Sequence, residues 1–219
     1  MKAKALAIVL LLVGGMVIGA QEARFVELNG KVEKRTGSSG DWQAAAAGDL
    51  IEKDAVISTG IKSSAVISIG SSSVTVNALT MLTLEELFQK DGTEEVALYL
   101  RTGRVKADVT PPTGMKSEFT VRSPTTTASV RGTSFSFNGH RLNVHSGKVA
   151  LANNSGQKVY VSTKQHSYAD SGQGQRLATP FEAETAGMRP VFNDLDNTGS
   201  KKEKPQQQIP LVNINFDWL

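Results

Sequence analysis

The 219-residue sequence contains no cysteine. That excludes disulfide scaffolds, thiol nucleophiles, cysteine-based zinc sites and a lipid-modified N-terminal cysteine. Aromatic residues make up 6% of the chain, with two tryptophans, so a surface built for stacking bases or sugars is not provided. Neither sign of charge prevails. The formal +3 includes Lys2 and Lys4, which lie in a segment expected to be removed; without them 22 basic side chains face 21 acidic ones. That balance speaks against nucleic acid as a partner. No apolar run reaches the roughly 20 residues that span a bilayer, and no sustained helical period appears before residue 180.

Recognisable constellations for chemistry are also missing. There is no Gly-x-Ser-x-Gly elbow, no His-x-His and no His-Glu-x-x-His. His140 and His145 lie an odd number of positions apart, so on one strand they face opposite ways unless a bulge intervenes. Glu85-Glu86 and Glu94-Glu95 are adjacent pairs, which a strand likewise splits between its two faces. The expectation is a non-enzymatic protein without cofactor or metal.

What is present begins with a secretory pattern. Lys2 and Lys4 precede an apolar stretch, Ala5–Ile18, and Ile18-Gly19-Ala20 offers a cleavage site before Gln21. Residues 1–20 therefore read as a signal peptide, with the periplasm as default destination. Uncleaved, the segment would anchor the chain in the inner membrane facing the periplasm; secretion is the third destination.

From residue 21 to about 172, short runs of strict alternation are divided by Gly, Ser, Asn and Asp. Ala65/Ile67/Ile69, Val96/Leu98/Leu100, Val105/Ala107/Val109 and Val159/Val161 are examples. Period two with turns every ten residues or so predicts an all-β domain, either β-helix-like or a sandwich or roll of short strands. Single helical turns are possible at Ala44–Gly48, Leu84–Gln89 and Phe181–Met188. Residues 173–208 read as a mostly irregular extension and linker, and residues 209–219 as an apolar tail whose alternation sets Val212, Ile214, Phe216 and Trp218 on one side. Phe216 and Trp218 are candidate contacts, on this domain or on another protein.

Two local features stand out. Ser129–Asn138 reads as one strand, yet Val130 is out of phase with Phe135 and Phe137; a bulge at Arg131-Gly132 would place Val130, Thr133, Phe135 and Phe137 on one face. Gly30-Lys31-Val32, Gly103-Arg104-Val105 and Gly147-Lys148-Val149 repeat one phrase at unequal spacing, either as hairpin turns or as traces of a repeated coil. Arg131 is either paired locally beside the bulge or exposed as an anchor for a partner.

These residues carry a likeness. Val121-x-x-Pro124, then Thr126-x-Ala128-x-Val130-Arg131-Gly132-Thr133-x-Phe135, then His145-Ser146-Gly147-Lys148-Val149, resembles the signature of the FecR domain. Gly30-Lys31-Val32, Trp42, Ala47-Gly48-Asp49, Ile57-Ser58-Thr59-Gly60 and Gly103-Arg104-Val105 fall in that family's order. The resemblance implies a periplasmic all-β module that takes a signal from an outer-membrane transporter and controls a cytoplasmic sigma factor. Only four residues precede the apolar segment here, so a stand-alone exported domain without the anti-sigma region is expected. The resulting expectation is a non-catalytic domain that binds a protein or a cell-envelope component. A membrane-tethered regulator of the family type and a peptidoglycan- or polysaccharide-binding module are the alternatives.

Overall fold

The computed structural model describes residues 22–37, 39–169 and 176–186. The signal segment and the tail with Phe216 and Trp218 lie outside them. Among the described residues the chain forms seventeen strands in two sheets and one helix. The first sheet holds β1 (Ala23–Asn29), β4 (Leu50–Ile51), β6 (Ser64–Ile69), β7 (Ser72–Val76), β10 (Val105–Asp108), β13 (Ser134–Phe137), β14 (Arg141–Ser146) and β17 (His166–Tyr168), in the order β17-β14-β13-β10-β7-β6-β1-β4. The second holds β2 (Val32–Thr36), β3 (Gln43–Ala44), β5 (Ala55–Thr59), β8 (Met81–Lys90), β9 (Thr93–Thr102), β11 (Lys116–Arg122), β12 (Thr126–Val130), β15 (Lys148–Asn153) and β16 (Lys158–Ser162), in the order β16-β15-β12-β11-β9-β8-β5-β2-β3.

The inward residues of both sheets join one buried cluster, including Ile67, Val74, Phe135 and Leu142 from the first and Ile57, Leu98, Phe119 and Leu151 from the second. This is a sandwich rather than a β-helix. Neighbouring strands are antiparallel except β9 and β11, which run parallel with Val96 opposite Phe119. The chain leaves β9, adds β10 to the other sheet and returns past Pro111-Pro112, which is the crossover a parallel pair requires.

The repeated Gly-Lys/Arg-Val phrase marks corners between sheets, not hairpin turns. At Gly30, Gly103 and Gly147 the chain passes from one sheet to the other, while a neighbouring segment crosses the opposite way at Ser63, Thr80 and Thr133. A Cβ on Gly103 (φ +93) would lie 2.4 Å from the Thr80 Cα; on Gly147 (φ +84) it would lie 2.8 Å from the Gly132 carbonyl oxygen. Glycine is needed there for both φ and space. The hydroxyls beneath bind the crossing backbone: Ser63 Oγ accepts from the Lys31 N–H (2.9 Å), Thr80 Oγ1 from the Arg104 N–H (3.0 Å), and Thr133 Oγ1 donates to the Lys148 carbonyl (3.2 Å).

The expected single strand Ser129–Asn138 is in fact two. β12 ends at Val130 in the second sheet and β13 begins at Ser134 in the first. Val130, Thr133, Phe135 and Phe137 are all buried, because both sheets face the same core; the crossing absorbs the extra residues, so no bulge at Arg131-Gly132 is needed. The register shift sits opposite, in β14, where Ser134 faces Ser146 and Phe135 faces Val144, leaving His145 without a partner in the ladder. Pro124 ends β11's hairpin, and its neighbours clamp the other sheet: Ser123, Thr125 and Thr126 all donate hydroxyls to the Gly139 carbonyl, at 2.9, 2.9 and 2.7 Å.

Leu84–Gln89 belongs to β8 rather than to a helical turn, with a register shift between Leu84 and Glu86. At Ala44–Gly48 the chain finishes β3 and turns. The helix α1 (Pro180–Ala186) overlaps the expected segment Phe181–Met188 and begins one residue before it. It starts with a capping box: Glu182 accepts from the Thr179 N–H (2.8 Å) and the Glu182 N–H donates to Thr179 Oγ1 (3.2 Å). Hydrogen bonds from Arg176 and from Thr179 lower the Glu182 carboxyl to about 2.

Glu94 is the exception within the core. It continues the inward row Val96, Leu98 and Leu100, is fully buried, and neither carboxyl oxygen has a hydrogen-bond partner among the described residues. Burial pushes its carboxyl up; the nearby Ser117 hydroxyl pulls the other way without completing a hydrogen bond. The folded state therefore holds a proton that the unfolded chain has released, and stability falls as pH rises from the ordinary glutamate value of 4.5 through the raised folded one. Glu94→Gln should gain melting temperature on the wild type across that window, and a constant difference would contradict the assignment. For the corners, Gly103→Ala should cost roughly 2–6 kcal/mol, since strain and overpacking add. Gly156→Ala, with φ +85 but open space around it, should cost only about 1–2 kcal/mol. Urea unfolding of the two variants measures the difference.

Candidate functional site

The outer face of the second sheet carries a recess lined by charged and aromatic side chains. The residues of four adjacent strands line up by register: Thr120, Ser129, Ala150 and Tyr160 form one row across β11, β12, β15 and β16. Ser129 and Ala150 are short, so they form a floor between taller neighbours. Tyr160 and Lys158 stand on one side; Glu118, Arg131 and Lys148 stand at the end. The result is a shallow groove of about 660 Å³ that reaches to Gly132 and Thr133.

Arg131 lies in the crossing from β12 to β13, directly after the last residue of β12. Its side chain is 80% exposed and its guanidinium is 3.6 Å from Glu118. Exposure on both sides makes that ion pair weak, about 0–1 kcal/mol. Lys158 holds its ammonium 5.5 Å from the centre of the Tyr160 ring, and Tyr160 is 59% exposed. Three cations thus share the groove with one carboxylate. The other motif residues are structural in position: Val130, Thr133 and Phe135 are buried, Gly132 approaches Pro111, and the Pro124 carbonyl accepts from Asn154 (2.8 Å). Phe216 and Trp218 lie outside the described residues.

The sequence did not single out Glu118, Lys158 or Tyr160, and Lys148 appeared in the Gly-Lys-Val phrase and the family signature but not as a contact residue. One signal was available: Val159 and Val161 alternate with Lys158 and Tyr160, which fixes the latter pair outward. What brings them to Arg131 is strand order, which alternation does not encode.

The outer face of the first sheet holds a second polar group. His145 Nε2 lies 2.8 Å from Ser136 Oγ. Asp108 accepts a hydrogen bond from Ser134 and pairs with Lys106 at 3.2 Å. Partial burial raises the Asp108 carboxyl, but the bonds from Ser134 and Lys106 outweigh it and leave the group below its ordinary value. This carboxylate is engaged with Ser134 and Lys106 rather than orienting the His145 ring, so the arrangement does not make a relay of the kind that activates a serine. His140 lies 3.4 Å from Thr125 Oγ1, and His166 is 3.1 Å from the Ala183 carbonyl. Among the described residues no three His, Asp or Glu side chains gather as metal ligands, and no helix is long and apolar enough to cross a membrane.

Two crystal structures, each of a candidate anti-sigma factor from Parabacteroides distasonis, resemble this chain at 18% identity and a TM-score of 0.46, covering 56% of this chain and 57% of theirs. The chain thus spans little more than half the length of those proteins. No curated protein matches the sequence. Residues 55–155 match the family described as FecR protein. That span runs from the first residue of β5 to just beyond β15, so the similarity to the FecR family takes in the Val130-Arg131-Gly132-Thr133 crossing.

Proposed function

We propose that this protein is a non-catalytic recognition module of FecR-type signal transduction, exported to the periplasm, whose partner is another protein. The observation that carries the reading is the placement of Arg131. Val130 and Thr133 of the same motif are buried and hold the corner together, while Arg131 stands exposed at the end of a groove. An arginine fixed at its backbone and held only by a weak, exposed ion pair at its guanidinium suits a partner's carboxylate or carbonyl groups. The coarse organisation proposed is a removable leader over residues 1–20, the β-domain over 21–172, an extension over 173–208 and a tail over 209–219, with Phe216 and Trp218 as a second contact. Retention of the leader would instead make the chain a membrane-tethered regulator of the same family.

A photo-crosslinking residue placed at position 129 on the groove floor should trap a protein partner in intact cells. Arg131→Glu should reduce that adduct at least tenfold without lowering the melting temperature of the purified protein. An adduct that survives Arg131→Glu at full yield would remove Arg131 from the interface. The intact mass of the exported protein reads the leader directly: a mass beginning at Gln21 supports release, and one beginning at Met1 supports the tethered form.

A further inference from the structure

The second sheet ends on β16, and that edge differs from the other three. β3 and β4 are two residues long. β17 is covered, since Ala169 bridges to Leu177, the Ala178 N–H donates to the Tyr168 carbonyl, and α1 brings the Ala183 carbonyl to His166. β16 is five residues long, and no described strand lies beyond it.

Register shows which backbone groups it offers. The Asn153 N–H donates to the Gln157 carbonyl at 3.0 Å, so Asn153 and Gln157 form a hydrogen-bonded pair. In an antiparallel ladder such pairs alternate. Val159 and Val161 therefore bond to β15, while Lys158, Tyr160 and Ser162 direct their N–H and C=O groups away from it. The Ser162 N–H is taken by Gln165 Oε1 at 3.0 Å. The peptide groups of Lys158 and Tyr160 have no partner among the described residues, and the side chains of these same two residues form the wall of the basic groove.

We infer that β16 is a strand-addition site for an extended acidic segment of the partner protein. This rests on the reading of the chain as a protein-recognition module. Main-chain bonds to Lys158 and Tyr160 would hold the added strand. Its alternate side chains would lie beside Lys158, Tyr160 and Ser162, with Lys148 one strand further in opposite Ser162, and neither lysine is within ion-pair distance of a carboxylate among the described residues. Carboxylates at those positions satisfy both ammonium groups, with Arg131 at the groove's end as a third cation. A second copy of this chain is a poor occupant, because β16 (Lys-Val-Tyr-Val-Ser) carries no carboxylate to meet Lys158 or Lys148 of the other copy.

The test uses the full exported chain and two synthetic peptides, one alternating Glu with Val and the other Lys with Val. Amide hydrogen exchange should slow at Lys158 and Tyr160 on adding the acidic peptide and not on adding the basic one. Tyr160→Pro removes an outward N–H without touching the bonds to β15, and should weaken binding of the acidic peptide at least tenfold. The double variant Lys148→Glu/Lys158→Glu, which leaves the backbone edge intact, should exchange the preference in favour of the basic peptide. Unchanged exchange with the acidic peptide, or equal binding by both variants and wild type, overturns the proposal. Protection of Lys158 and Tyr160 in the free chain that disappears on truncation after Ala186 also overturns it, by making the chain's own C-terminal segment the occupant. Should the crosslink from position 129 persist in Tyr160→Pro, recognition through the groove stands and strand addition alone falls.

Discussion

The fold depends on a close approach between backbones at its corners. Where the chain turns from one sheet to the other at Gly103, no side chain fits, because the Thr80 backbone occupies the place a Cβ would take. Gly30 over Ser63 and Gly147 over Thr133 repeat the arrangement. Each contact joins two segments crossing in opposite directions, and a hydroxyl or carbonyl fastens one to the other. Strand register is transmitted through these points. A shift of one residue at a corner would turn inward side chains outward in the strand that follows, since the side-chain period is two. The order of the core is thus set at its rim.

The groove inherits its geometry from one such corner. Thr133 is buried beneath Gly147, so the crossing from β12 to β13 is held on its inner side. Arg131, two residues earlier, is left outside. The same corner sets Lys148 opposite Arg131 by continuing the register of β12 and β15. A rigid inner half and an exposed outer half fall within three residues here, whereas the residues two before Ser63 and Thr80 at the other corners are the uncharged Ile61 and Ala78.

Much of the fold was legible from the chain alone. Alternation at Ala65/Ile67/Ile69 and Val96/Leu98/Leu100 gives the buried face directly, and the structure buries each of these residues. Alternation does not say which sheet a strand joins. Val130 and Phe135 look like one strand with a fault between them because both sheets deliver their apolar faces to one core. The corner phrase was visible as a repeat but not as a corner, since the Ser or Thr beneath each glycine comes from a distant part of the sequence. Glu94 sits in phase with Val96 and Leu98, so its inward direction was readable; its lack of a partner depends on what surrounds it. Arg131 was conspicuous through its motif, whereas Lys158 and Tyr160 became relevant only once β16 was placed at the sheet edge.

The parallel ladder between β9 and β11 has a consequence for how the domain assembles. Every strand from β1 to β9 finds its partners within that same stretch, apart from the contacts of β7 with β10 and β9 with β11. Strands from β10 onward do the same among themselves. The sandwich is therefore two pleated halves joined along a seam, β7 to β10 in one sheet and β9 to β11 in the other. A chain delivered from its N-terminus can complete the first half while the second is still emerging, with β7 and β9 as waiting templates. The prolines at 111 and 112 lie on the link that returns the chain to that template, so the stiffness of this link bears directly on how the two halves meet.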